Sequence, residues 1–232
     1  MVTIYDIDRK FGHLPYMNID RAELLNSFFK KYNIKNCLEL GFYHGKSSAY
    51  IATILNQQQE GHLTTIDLRS AKEMKPNINQ ILNELNLSQW VTPYFEPKSY
   101  IWRLMKMIEK NPEPIFDFCY LDGGHTWSDT GFGFFLVDKL LKKGGWIIFD
   151  DLNYCYKDIM KPNKENPSWL LKMSNEELET MQVRKVWELL VKKHPNYTNF
   201  KEDKQWGFAQ KNKKMARTQI LANIFRETLR KK

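Results

Sequence analysis

The chain has 232 residues, a net charge of +8, and 42% hydrophobic and 14% aromatic residues. That length and apolar content suit one α/β domain with a large core and argue against a disordered chain. No apolar run reaches the roughly 18 residues of a membrane span, and the N-terminal MVTIYDIDRK lacks the apolar centre of a signal peptide.

In chain order, Asp20-Arg-Ala-Glu23 has the spacing of a capping box and opens an amphipathic helix to about Tyr32. It forms part of a helical cap over residues 1–35. Asn36–Leu40 is a short buried strand, followed by the turn Gly41–Gly45 and a helix from Lys46 to Asn56. His62–Ile66 is a second strand closed by Asp67, and Asn77–Asn86 is helical. Val91–Phe95 is a third strand, and Tyr100–Glu109 is the helix after it. Phe116–Leu121 is an apolar run ending in Asp122-Gly-Gly-His125, and Trp146–Phe149 is another ending in Asp150-Asp151. Short apolar runs closed by Gly or Asp read as buried parallel strands. Ser128–Lys143 is long enough for the crossover helix between them, with Gly144-Gly145 as its stop.

After Asp151 the texture changes, and residues 152–173 read as a lid or insertion. Ser174-Asn-Glu-Glu177 is a second capping box, opening a helix to about Lys193. Tyr197–Lys201 and Gly207–Lys211 form a hairpin around a polar turn. Residues 213–232 read as a basic amphipathic helix and a candidate dimer element. From Lys211 onward, eight basic residues stand against Glu227 alone and hold most of the net charge. Such a tail suits nucleic acid or an anionic surface, or is simply a solvated face. With no aromatic and basic platform elsewhere, nucleic acid is not the expected partner. Cys37 and Cys119 fall in predicted strands and Cys155 in a loop. They read as reduced thiols of a cytoplasmic protein.

The βαβ order predicts a mostly parallel sheet whose strand ends share one edge, where ligands of such sheets bind. Five features fall on that edge. Gly41 and Gly45 let the backbone turn tightly against a ligand, but three residues separate them where a phosphate loop needs four. Asp67 is placed to accept hydrogen bonds from the ribose hydroxyls of a nucleoside. Asp122, Asp150 and Asp151 form an acidic group suited to a hard cation such as Mg²⁺, or else are satisfied by backbone N–H groups. His125 is near enough to serve as a general base, or else caps a helix. Ser99, after the third strand, is a candidate for the adenine edge.

Glu39, Gly41 and Gly45 match an E-x-G-x-x-x-G motif, and with Asp67 they resemble the class I S-adenosylmethionine-dependent methyltransferases over roughly residues 20–212. The segments DGGHTW and GGWIIFDD are most similar to the small-molecule O-methyltransferases of macrolide-sugar and cephalosporin pathways. The resemblance implies a Rossmann-like, doubly wound, seven-stranded sheet, mostly parallel with a C-terminal antiparallel hairpin. It implies S-adenosylmethionine held by Glu39, Gly41, Gly45, Ser47, Asp67, Ser99 and Asp122. It also implies Mg²⁺ on Asp122, Asp150 and Asp151, and a small hydroxylated acceptor activated beside His125 and Asp122. Catechol-type enzymes carry Asp-Asn where Asp150-Asp151 stands, so Asp151 departs from the catechol pattern, though not from the sugar-modifying one. The alternatives are an NAD-dependent oxidoreductase, weakened by the missing third glycine, and an RNA methyltransferase using the basic tail.

Overall fold

In a computed structural model of the chain, residues 1–160 and 166–212 are described; the basic C-terminal segment expected to be helical lies outside them. Helices α1 (Ile4–Phe11) and α2 (Ile19–Tyr32) precede the sheet. Then follow β1 (Asn36–Leu40), α3 (Lys46–Gln58), β2 (His62–Leu68), α4 (Ile78–Glu84), β3 (Val91–Glu96) and α5 (Tyr100–Lys110). The second half holds β4 (Phe116–Leu121), α6 (Trp127–Leu140), β5 (Leu141–Phe149), α7 (Asn175–Glu179), α8 (Gln182–Val186), β6 (Tyr197–Asp203) and β7 (Trp206–Lys211).

The seven strands form one sheet in the order β3-β2-β1-β4-β5-β7-β6. The first five are mutually parallel, and β7 runs antiparallel to both β5 and β6. This is the Rossmann-like arrangement expected from the resemblance. The succession of strands switches sides of the sheet between β1 and β4, which opens a crevice beyond their carboxyl ends. The register sets what lines it. Leu40 pairs with Ile66 and Leu121, and Leu121 pairs with Phe149. Gly41, Asp67, Asp122 and Asp150 therefore follow laterally adjacent positions. Apolar layers cover both faces, one under α1 to α4 and the other under α5, α6 and α8.

Several boundaries differ from the sequence reading. Asn18, not Asp20, caps α2, its side chain accepting from the Arg21 N–H at 3.1 Å. The crossover helix stops at Leu140 and β5 begins at once with Leu141, so Gly144-Gly145 lie within the strand. There the Lys142 ammonium meets Asp117 at 2.8 Å, and the β4–β5 register shifts between Phe116 and Phe118. The Ser174 capping box forms as expected, but its helix breaks at Met181 (φ −73°, ψ 80°) and resumes as α8, which runs into a π-turn over Trp187–Val191. Within the 152–173 segment, Tyr156 and Leu170 pack with Leu178 in a small satellite core.

Candidate active site

The loop after β1 turns through two glycines in the left-handed region, Gly41 at φ +90° and Gly45 at φ +95°. A Cβ on Gly41 would lie 2.3 Å from the Asp122 carbonyl oxygen, so this close passage of two strand ends excludes any side chain there. The Gly41 N–H donates to the Ile66 carbonyl at 2.8 Å, which stitches the loop to β2. Asp67 Oδ2 accepts from the Phe42 and Tyr43 N–H groups at 2.7 and 2.6 Å, and Oδ1 accepts from the Leu68 N–H at 2.6 Å.

Beneath this loop Glu39 is fully buried. Its Oε2 accepts from the Thr65 hydroxyl at 2.6 Å and from the Ser48 hydroxyl. Burial pushes its carboxyl up to about 7, against the hydrogen bonds from Ser47, Ser48 and Thr65. An acid whose folded-state pKa is raised favours folding less as pH climbs. No penalty applies below the unfolded value near 4.5; it grows through about 7 and then levels off, at about 3 kcal/mol. Glu39→Gln, which keeps an acceptor for the two hydroxyls, is therefore expected to stabilise the protein near pH 8 and not near pH 4.5. Urea denaturation at both pH values checks this, and an equal effect at the two would show that titration of Glu39 is not the cause.

Two cavities meet at the glycine loop. The larger, about 530 Å³, is lined by Tyr16, Met17, Gly41–His44, Lys46, Ser47, Asp67, Asp122–His125, Asp151 and Tyr154. The smaller, about 190 Å³, shares Gly41, Asp67, Gly123 and Gly124 with it and extends to Ser99 and Tyr100. Ser99 also caps α5, accepting from the Ile101 N–H at 3.3 Å. The Tyr100 hydroxyl donates to the Asp129 carbonyl at 2.9 Å. At the mouth of the larger cavity, Tyr16 (φ 72°) and Tyr43 (φ 51°) pack edge to face with ring centroids 5.3 Å apart. Left-handed backbone at two aromatic residues is strain of the kind found at ligand sites.

Of the three aspartates expected to hold a cation, Asp122 and Asp151 lie together among the described residues, and Asp150 is paired with Arg21. Ligand atoms of Asp122, His125 and Asp151 all lie within 4.8 Å of one another, and His125 takes the place of Asp150 in that cluster. Asp150 is engaged elsewhere. One nitrogen of the Arg21 guanidinium donates to both its oxygens at 2.8 and 2.9 Å, the Tyr120 hydroxyl also donates to it, and the Asp151 N–H donates at 2.6 Å. Arg21 in turn lies over the Trp206 ring, 4.7 Å from its centroid. The counter-charge that a cation would give Asp150 comes from Arg21, a residue the sequence reading did not single out.

His125 Nε2 is 3.1 Å from Asp151 Oδ2 but makes no hydrogen bond of good geometry among the described residues. The imidazole packs on Tyr154, centroids 4.5 Å apart. Asp151 sits at φ +56°. Burial, then the nearby Asp150 and Asp151 carboxylates, push the Asp122 carboxyl well above the usual range. Such a group favours a proton or a cation beside it. Asp122 and Asp151 offer oxygen donors of the kind Mg²⁺ prefers, whereas an imidazole nitrogen is a poorer donor for that ion.

The sheet order, the glycine turn and the acid after β2 are arranged as in the Rossmann-like methyltransferase fold, and residues 38–152, just under half of the chain, match the family model described as a methyltransferase domain. Within that fold the chain resembles the small-molecule O-methyltransferases. It is 26% identical over 156 residues to a Dictyostelium discoideum protein named "Probable caffeoyl-CoA O-methyltransferase 2", covering 63% of this chain and 64% of that protein. The curated relatives are thus matched over 64% of their length. In fold it is similar to TomG of Streptomyces achromogenes, an O-methyltransferase of tomaymycin synthesis solved with S-adenosylmethionine. There the TM-score is 0.61 at 17% identity, covering 90% of this chain and 87% of that one. It is also similar to a Bacillus cereus O-methyltransferase solved with S-adenosylhomocysteine, with a TM-score of 0.60 at 19% identity, covering 89% and 88% of the two chains.

Proposed function

We propose that the protein transfers the methyl group of S-adenosylmethionine to an oxygen of a small hydroxylated acceptor. The observation that carries this reading is the meeting of two cavities at the Gly41–Gly45 loop, with the Asp122, His125 and Asp151 side chains beside it. The smaller cavity, between Asp67 and Ser99, suits the adenosine. The larger leaves room for the amino-acid end of the cofactor and for the acceptor.

The acceptor oxygen forms a bond to the methyl carbon as the carbon–sulfur bond breaks, and S-adenosylhomocysteine leaves as a neutral thioether. The hydroxyl proton passes to His125 Nε2. Asp151 Oδ2, 3.1 Å away, then stabilises the imidazolium. The ring stacked on Tyr154 is held in place for this step. Mg²⁺, where bound, would sit on Asp122 and Asp151, orient the acceptor hydroxyl and lower its pKa. Hydride transfer to a nicotinamide would leave the Asp122–His125–Asp151 cluster without a role. Among the described residues no helix is long and apolar enough to cross a membrane, and all three cysteines are free and buried, which suits a reducing compartment such as the cytoplasm.

The test is calorimetric titration with S-adenosylhomocysteine, followed by labelled methyl transfer to a panel of phenolic and sugar hydroxyls. A folded protein that does not bind S-adenosylhomocysteine would end the proposal. Asp67→Ala is expected to weaken cofactor binding by roughly tenfold or more, since a hydrogen bond to a charged group is worth about 1.5–3 kcal/mol. An unchanged dissociation constant would remove Asp67 from the site. Excess EDTA is expected to suppress turnover and added Mg²⁺ to restore it; full turnover in EDTA would leave His125 and Asp151 as the whole activating apparatus.

A further inference from the structure

Gln182 opens α8 directly after the helix break at Met181 and is only 7% exposed. Both ends of its carboxamide are engaged. Nε2 donates to the Glu177 carbonyl at 2.9 Å, which ties α8 back to α7. Oε1 accepts from the Trp127 N–H at 2.6 Å. Trp127 is the first residue of α6, so its N–H is one of the donors that a helix start leaves without an intrahelical partner. Thr126 Oγ1 serves another of them, the Asp129 N–H, at 3.0 Å. The Gln182 bond therefore fixes the start of α6 two residues past His125. From the same short helix, the Arg184 guanidinium donates to Asn153 Oδ1 at 2.6 Å and to Glu202 at 3.1 Å. Asn153 lies two residues past Asp151. One helix thus holds both loops whose side chains meet as His125 Nε2 and Asp151 Oδ2.

We propose that Gln182 is a positioning residue that holds His125 against Asp151 through the Trp127 N–H. This rests on the reading of His125 as the proton acceptor above and specifies what orients it. Gly123 and Gly124 give the segment before His125 no side chains to pack, so hydrogen bonds must hold it. On one side the Thr130 hydroxyl donates to the Gly124 carbonyl at 2.6 Å; on the other stands Gln182. A misplacement of about 1 Å can cost on the order of 10²-fold in rate, so a distant carboxamide can matter to the reaction without touching it. The competing role for Gln182 is purely mechanical, a staple across the α7–α8 break.

Three variants separate the roles. Gln182→Glu keeps an acceptor for the Trp127 N–H and loses the donor to Glu177; Gln182→Met loses both. Trp127→Pro removes the N–H itself and leaves Gln182 on Glu177. Proline suits a first helical position, and Thr126 before it already has the extended backbone that proline requires, at φ −77° and ψ 151°. Gln182→Met and Trp127→Pro are expected to lower kcat by roughly tenfold to a hundredfold, with S-adenosylhomocysteine affinity within about twofold. Gln182→Glu, whose carboxylate still accepts the N–H, is expected to stay within about threefold of the native kcat. In crystal structures the His125 Nε2 to Asp151 Oδ2 separation, 3.1 Å in the native protein, is expected to widen in Gln182→Met and Trp127→Pro and to hold in Gln182→Glu. A native separation or a native kcat in folded Gln182→Met would overturn the proposal. Equal losses in Gln182→Glu and Gln182→Met would do the same, since that is the behaviour of a mechanical staple. Where Gln182→Met fails to fold, Trp127→Pro carries the same test. The crystallographic comparison needs no acceptor, so if the native protein transfers no methyl group the proposed function falls while the placement of His125 is still decided.

Discussion

Arg21→Met is expected to destabilise the fold by about 3–5 kcal/mol, the cost of breaking a buried ion pair from one side. Asp150 is 8% exposed, and the guanidinium of Arg21 supplies its only cationic partner among the described residues. Removing that charge leaves the carboxylate with the Tyr120 hydroxyl and the Asp151 N–H in a pocket that also feels Asp122. The loss should be smaller in the double variant Arg21→Met/Asp150→Asn, which removes the orphaned charge as well. Urea denaturation of the four proteins of this cycle gives the coupling directly. A single variant that loses less than about 1 kcal/mol would show that Asp150 finds water or protonates instead.

His125→Asn is expected to lower kcat by about 10²–10⁴-fold, the range for a general base, while leaving S-adenosylhomocysteine affinity within about twofold. The imidazole lies past the Asp122-Gly-Gly turn and against Tyr154, so the substitution removes a proton acceptor and not a packed core residue. Steady-state kinetics with calorimetry separate the two effects. Loss of cofactor binding in step with kcat would assign His125 to holding the cofactor, and an unchanged kcat would assign proton removal to another group.

How much of this was legible in the sequence depends on the range of each interaction. The five parallel strands were readable because each is a short apolar run closed by Gly or Asp, and their shared edge follows from βαβ topology. Gly41, Asp67 and Asp122 could be placed together because each directly ends or follows a strand. Arg21 could not, because 129 residues separate it from Asp150 and nothing local in α2 marks it. The sequence grouped Asp122, Asp150 and Asp151, whereas among the described residues His125 joins Asp122 and Asp151 and Asp150 pairs with Arg21, a pairing that strand-end adjacency does not reveal. Helix α1 was covered only as part of a helical cap, although Thr3 and Asp6 form a capping box. The break at Met181 went unread because the Ser174 capping box marks only where the helix starts.

The carboxylate of Asp67 has a finite capacity. A carboxylate offers about four lone-pair directions. Phe42, Tyr43 and Leu68 already direct three backbone N–H groups at it. On the proposed cofactor reading, a ribose presents two hydroxyls to roughly one vacant direction, so with the loop in this conformation the acid would read only one of them. Cofactor analogues lacking the 2′- or the 3′-hydroxyl should then be discriminated unequally, and the better-tolerated one identifies the hydroxyl that Asp67 does not hold.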